Sequence, residues 1–251
     1  MIITAENYLS QEAEWFYMGS TQFKRFMQCE ACAMAYIRGE YEQPKSVALL
    51  VGSYVDAHFS NELDLFKAQT PEIFTKAGDL KSEYKKANEI IERIERDELF
   101  MQMLSGKKLE IMTGEINGVP FKIKVDSLLP DITVDLKIMR DCSDSWHDGE
   151  LIPFWKAWGY DIQAAIYREI RAQNDGEIKP VRLAVATKET ETDLQIFEFR
   201  DETLDEAYKT VYNLAPRFEA IKRGEIEAQR CGCCDYCKAT KKLTNNDIRR
   251  I

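Results

Sequence analysis

Asp126, Asp135 and Lys137 are the residues whose types and spacing most readily do chemistry in this chain. They fall within VDSLLPDITVDLK, residues 125–137. Two carboxylates and a lysine brought together can hold a divalent cation beside a charged group that handles a water or a phosphate. Asp135 sits inside the apolar run ITVDLKI, where an unpaired charge is costly, so it calls for a partner. Asp126 taken alone reads first as a solvated residue near a turn.

The segment that must position them reads as a β-hairpin. FKIKVDSLL alternates up to a turn at Pro130-Asp131, and ITVDLKI returns as a second, more apolar strand. Side chains alternate faces along a strand, so Asp135 and Lys137 project from one face. Asp126, on the neighbouring strand, comes alongside them. Upstream, KLEIMTGEINGVPFKIKV supplies further strands with Asn117-Gly118 as a hairpin turn. Glu110 and Glu115 in that stretch are both open as an additional carboxylate.

Around this hairpin the pattern is helical. TQFKRFMQCEACAMAYIRG reads as one helix with Ser20 as N-cap and Gly39 as stop. SVALLVGSYVDAHFSNELDLF is a second helix, and AGDLKSEYKKANEIIERIERDELFMQML one long helix or two shorter ones. FWKAWGYDIQAAIYREIRAQ is helical again. VRLAVATKE and DLQIFEFR are two strands, and ETLDEAYKTVYNLAPRFEAIKRG closes as a helix with Pro216 as a kink point. Helices, a central sheet, a helix, two strands and a helix predict a mixed sheet covered on both faces. No repeat or low-complexity linker interrupts the chain. We expect one domain over 1–251, with a helical part to about residue 105 and a Cys-rich appendage from about 225.

The 251 residues bury a substantial core, and 45% hydrophobic with 31% charged residues is ordinary for a globular protein. No apolar run approaches the roughly 20 residues that span a bilayer, and MIITAENYLSQEAEW lacks the regions of a secretory signal. A cytoplasmic protein without membrane contact is the expectation, with cysteines as thiols or metal ligands. The net charge of −9 argues against a whole surface devoted to nucleic acid. It leaves room for a local basic channel.

Three further groups carry possible chemistry. His58, in GSYVDAHF, lies four residues after Tyr54 and six after Gly52. It is either a hydrogen-bonded structural histidine or a ligand beside a cation. Gln163 and Tyr167 are four apart and share a helix face, either as donors or as the margin of an amphipathic helix. Cys231, Cys234 and Cys237 have ligand-like spacing in RCGCCDYCKATKK, and CEAC holds Cys29 and Cys32. Cys142, alone in a loop-like stretch, reads as structural.

Taken in order, these pieces resemble the PD-(D/E)xK nuclease superfamily, and within it RecB-like and RecE-type phage exonucleases. Its pattern is a G-x-x-x-H-like helix, an Asp on one strand, D/E-x-K on the next and Q-x-x-x-Y on a helix. Gly52 to His58, Asp126, Asp135-Leu136-Lys137 and Gln163 to Tyr167 stand in those places. The Gly-to-His spacing is longer than the family's. The resemblance covers about residues 18–200 and implies a restriction-endonuclease-like three-layer α/β/α fold. It implies Mg²⁺ or Mn²⁺ on Asp126, Asp135 and the Leu136 carbonyl, completed or braced by His58. Lys137 would act at the attacking water and the phosphate, and Gln163 and Tyr167 would touch the DNA.

The implied activity is exonucleolytic hydrolysis of duplex DNA ends in phage or prophage recombination. A single-strand annealing protein as partner and a homo-oligomeric ring around DNA belong to the same expectation. Related cluster-bearing nucleases, including those of CRISPR adaptation, tie their chain ends with a [4Fe–4S] cluster on one N-terminal and three C-terminal cysteines. Here Cys29, Cys231, Cys234 and Cys237 would be those ligands, for a cluster or for zinc. A non-catalytic nucleic-acid-binding scaffold is the alternative of another class.

Overall fold

The computed structural model describes residues 1–147, 149–245 and 248. In chain order the elements are α1 (Gln11–Phe16), β1 (Met18–Gly19), α2 (Ser20–Gln28), α3 (Glu30–Ile37), α4 (Val47–Phe59), α5 (Leu63–Gln69), α6 (Lys86–Glu95) and α7 (Glu98–Met103). The strands β2 (Glu110–Ile116), β3 (Val119–Val125), β4 (Ser127–Leu128), β5 (Thr133–Met139), β6 (Ser145–His147) and β7 (Glu150–Ile152) follow. Then come α8 (Phe154–Ala157), α9 (Tyr160–Asp175), β8 (Val181–Thr187), β9 (Leu194–Glu198), α10 (Asp201–Lys222) and α11 (Asp235–Ala239).

The chain forms two compact units that do not follow chain order. One comprises Pro44–Gly114 with Lys122–Val211. Its mixed sheet has the order β4–β5–β8–β9, with β5 and β8 parallel and both outer pairs antiparallel. The period of two divides β5 between two layers. Val134 and Leu136, with Ala184 and Ala186 of β8, pack against Leu50 and Val55 of α4 and Ile90 and Ile94 of α6. Met139, Leu183 and Val185 pack against Phe154 and Tyr160 on the other side. Helices on both faces of a mixed sheet make the three-layer α/β/α arrangement expected from the sequence.

The turn between β4 and β5 is clamped from α9. Arg171, almost fully buried, donates to the carbonyls of Leu129 and Pro130 (2.8 Å each), to Thr133 Oγ1 (3.0 Å) and to Asp175 (2.8 Å). A second clamp lies below β4. Gly106 N–H donates to Ser127 Oγ (2.9 Å), whose hydroxyl donates to Met103 O (2.8 Å). Lys107 and Leu128 exchange backbone bonds of 3.0 and 2.8 Å. Only glycine fits at 106, because an added Cβ would lie 2.6 Å from the Leu128 backbone.

The other unit comprises Met1–Gln43, Glu115–Phe121 and Tyr212–Ile251. Its core is aromatic: Phe218 stacks on Phe26 (5.0 Å) and meets Phe23 edge-on (5.1 Å). Glu30 takes a bidentate bond from Arg217 (2.8 and 3.0 Å) and a third from Gln229 N–H (2.8 Å).

Several elements differ from the sequence reading. The helix expected from Ser20 to Gly39 is broken at Cys29, which is extended at φ −165°, and Gly19 occupies the N-cap position. No Gly or Pro causes the break. Tertiary bonds do: Ala31 N–H donates to Gln229 O at 3.0 Å. The strand expected to run through FKIKVDSLL is interrupted at Asp126, between β3 and β4. The long charged stretch forms two helices because the Asp97 side chain caps Phe100 N–H at 2.9 Å. Gly159, at φ +62°, separates α8 from α9. Asn117 and Gly118 both take positive φ, as their hairpin turn requires. Among the described residues no helix is long and apolar enough to cross a membrane.

Candidate active site

Strand alternation puts Asp135 and Lys137 on one face of β5. Asp135 is only 2% exposed. Its Oδ1 accepts from Gln163 Nε2 of α9 at 2.7 Å, and its Oδ2 lies against the Lys137 ammonium. That ammonium stands 5.5 Å from the ring centre of Tyr160, at the start of α9. The charge that looked expensive inside an apolar strand is therefore paired on both oxygens' sides.

Asp126 occupies the break between β3 and β4. Ser127 pairs with Val134 across β4–β5, so the next position outward sets Asp126 opposite Asp135. Its Oδ2 accepts from Leu136 N–H at 2.9 Å. The side chain thus takes a bond that a continued strand would have supplied.

Two acids facing each other in a confined site resist ionisation together. Burial, then the Asp135 carboxylate, push the Asp126 carboxyl up to about 8, against Lys137 and the Leu136 amide. Asp56 of α4 belongs to the same electrostatic group. Burial holds it above the usual carboxylate range, Lys137 and Lys124 pull it down, and Asp135 pushes it up. For Lys137, burial works against the charge, but Asp135 and Asp126 outweigh it and hold the ammonium above the ordinary lysine range. Lys108 is the opposite case. Burial draws it down despite Asp126 and Asp56, and its Nζ donates to Leu104 O.

The structure does not bring His58 to this group. Its Nε2 lies 2.9 Å from Glu95 of α6, and the ring is partly exposed. Two residues along a helix are about 200° apart, so His58 and Asp56 face differently. Asp56 follows Gly52 by four, and Gly52 faces β5: a Cβ there would meet Ile138 at 3.7 Å. The i, i+4 spacing from that glycine is the signal by which Asp56 was legible. Lys108 left no such signal.

Gln163 and Tyr167 share a face of α9, as their spacing predicts. Gln163 is spent on Asp135, and Tyr167 donates its hydroxyl to Lys124 O at 2.9 Å. Both side chains brace the strands that carry the acids. Glu110 opens β2 and Glu115 lies exposed near its end.

The donor set suits a hard divalent cation. Three carboxylates share one electrostatic group: burial raises Asp56 and Asp126 above the usual carboxylate range, and Asp135 Oδ2 faces the Lys137 ammonium. Asp56, Asp126, Asp135 and the Leu136 carbonyl are the oxygens available to it.

A second group lies within the unit that holds both chain ends. The thiols of Cys29, Cys231, Cys234 and Cys237 lie within 4.8 Å of one another, and none of the seven cysteines forms a disulfide. The helix break at Cys29 brings its sulfur 3.5 Å from Cys237, and Cys231 is 3.9 Å from Cys237. Backbone N–H groups of Cys233 and Cys234 pull the Cys231 thiol down to about 6, which favours its thiolate form. Four arms of ~2.3 Å about a tetrahedral ion place sulfurs ~3.8 Å apart. Four thiols so placed are a ligand set for a soft ion such as zinc or for an iron–sulfur cluster.

No curated protein matches the chain. A solved crystal structure, described as "Putative exonuclease" from Eubacterium rectale, is 47% identical, with a TM-score of 0.92 over 97% of this chain and 95% of that one. The family model described as "PDDEXK-like domain of unknown function (DUF3799)" matches residues 19–240. With that match spanning most of its length, the chain belongs to this PDDEXK-like family.

Proposed function

We propose that this protein is a divalent-metal-dependent DNA exonuclease that hydrolyses phosphodiester bonds from duplex ends. The observation that carries the reading is the placement of Asp126 opposite Asp135, with Lys137 and Asp56 in the same electrostatic group. The family match and the neighbour's description support a nuclease.

Asp126, Asp135, Asp56 and the Leu136 carbonyl would hold Mg²⁺ or Mn²⁺, with Asp56 in the place the sequence reading gave to His58. Such an ion supplies an acidified water and charge stabilisation at the phosphate. Lys137 stays an ammonium at neutral pH, so it donates to the phosphate or orients the water and does not abstract a proton. Gln163 fixes the Asp135 carboxylate through Oδ1, while Oδ2 faces the Lys137 ammonium. Tyr167 pins the strand that delivers Asp126. The thiol centre would hold a soft ion or an iron–sulfur cluster in the other unit. A resected end would pass to a single-strand annealing protein in phage or prophage recombination, and a ring of copies would keep the enzyme on its track.

The test uses end-labelled linear duplex and closed circular DNA, with Mg²⁺ or EDTA. Linear DNA should shorten only with Mg²⁺, circles should survive, and Asp135→Asn should abolish the loss. Equal degradation in EDTA, or full activity in a folded Asp135→Asn protein, would refute the proposal.

A further inference from the structure

Two of the four tryptophans stand out into solvent within one short stretch. Trp146 is 74% exposed and Trp158 60% exposed. Tryptophan seldom shows so much of its ring in a folded protein, because the indole is the largest apolar payload a chain can bury. The stretch joins β5, which carries Asp135 and Lys137, to α9, which carries Tyr160 and Gln163.

The base of this stretch is firmly held. Antiparallel pairing of β6 and β7 sets Trp146 opposite Leu151, itself exposed. Asp144 Oδ1 accepts from Phe154 N–H at 3.2 Å. Phe154 is buried against Phe197 (5.0 Å), and Trp155 meets Phe199 edge-on (5.9 Å). One tryptophan of the stretch is thus used for packing, while its neighbours on either side are presented outward. Trp158 is followed by the left-handed Gly159 and then Tyr160, whose ring faces Lys137. Two residues of chain span at most ~7 Å, so Trp158 lies within one short step of Tyr160, whose ring neighbours the Lys137 ammonium. Lys156 is exposed next to it, and Arg140, paired with Asp141 at 2.6 Å, is exposed where β5 ends.

Indole faces on a braced scaffold that joins β5 to α9, with Arg140 and Lys156 set among Asp141, Asp144 and Glu150, offer stacking surface rather than net positive charge to unpaired nucleobases. We propose that Trp146 and Trp158 form a stacking platform for single-stranded DNA beside the active site. This rests on the nuclease reading for its choice of ligand. Every base has a π-face, so the platform would be indifferent to sequence and would hold the strand while the terminal phosphodiester is presented.

The experiment is a titration of the intact protein with oligo(dT) in EDTA, following intrinsic tryptophan fluorescence and anisotropy of a labelled strand. Wild type should show quenching. Trp146→Leu and Trp158→Leu should each weaken binding about 5- to 150-fold, the loss of one stacked base. Cleavage by wild type with unchanged binding in both tryptophan variants would overturn the platform and leave the nuclease reading standing. Quenching that depends on both tryptophans, in a protein that cleaves no DNA with any divalent metal, would do the reverse. If either substitution instead dissociates a self-association seen by sedimentation while oligo(dT) affinity stays constant, the face is a contact between copies and the platform is overturned.

Discussion

Asp126 should make this protein less stable without metal as the pH rises. Its carboxyl is pushed up to about 8 by burial and by Asp135. In an unfolded chain it would titrate near the usual ~3.9. A carboxyl whose folded value is raised disfavours the fold wherever it ionises. The penalty is absent below pH ~4, grows through the window from ~4 to ~8, and is constant above. At pH 7 it has a ceiling of about 4 kcal/mol. At 2–4 °C per kcal/mol for a chain of this size, that is a fall in Tm of at most about 8–16 °C. Divalent metal binds the ionised form, so its apparent affinity should rise about 50-fold from pH 6 to pH 8 as the proton is displaced. Asp126→Asn removes the ionisation and keeps an acceptor for Leu136 N–H. It should therefore raise Tm in EDTA at pH 8, with the gain shrinking toward pH 4, and lose the Mg²⁺-induced shift. Calorimetric melts from pH 5 to 8, with EDTA or Mg²⁺, check each point. A flat Tm in EDTA together with pH-independent Mg²⁺ affinity would refute the reasoning, as would an Asp126→Asn protein less stable than wild type at pH 8.

Gly106→Ala should cost about 3–5 kcal/mol, combining overpacking against the Leu128 backbone with strained bonds to Ser127 and Lys107. A melt and a Mg²⁺ titration should both suffer, because β4 follows Asp126 directly. Arg171→Met should lose about 3–5 kcal/mol, since the carbonyls of Leu129 and Pro130 are left without this donor. Denaturant unfolding measures it. Metal analysis should find a soft metal bound at the four thiols, stoichiometric zinc or, with absorption near ~400 nm, an iron–sulfur cluster. Cys29→Ser should weaken retention of the metal in a chelator competition.

Much of the site was legible because a strand's period is short and strict. Asp135 and Lys137 had to share a face once ITVDLKI was read as a strand, and the cost of a buried charge demanded a partner for Asp135. The partner's identity was not legible as such. Gln163 and Tyr167 were visible as a helix face, but only packing shows them turned inward onto Asp135 and the Lys124 carbonyl. His58 drew attention as a rare residue type, whereas the face of α4 is decided by Gly52 against β5, which selects Asp56. The break at Cys29 was invisible to helical periodicity, because the bond that enforces it comes from Gln229, 198 residues away from Ala31. The three-layer arrangement followed from the order of patterns. The division into two units did not, since β2, β3 and α10 each run from one into the other.

The account stands on three carboxylates, Asp56, Asp126 and Asp135, acting as one group. The most direct test compares Mg²⁺-dependent release of nucleotides from labelled linear duplex by wild type, Asp56→Asn and His58→Ala, each confirmed as folded. Loss of one of three anionic ligands should lower the rate in Asp56→Asn by 100-fold or so, on the order of 3 kcal/mol. His58→Ala, which only breaks a partly exposed contact with Glu95, should stay within a few-fold of wild type. An Asp56→Asn enzyme as active as wild type, beside an inactive His58→Ala, would contradict the account.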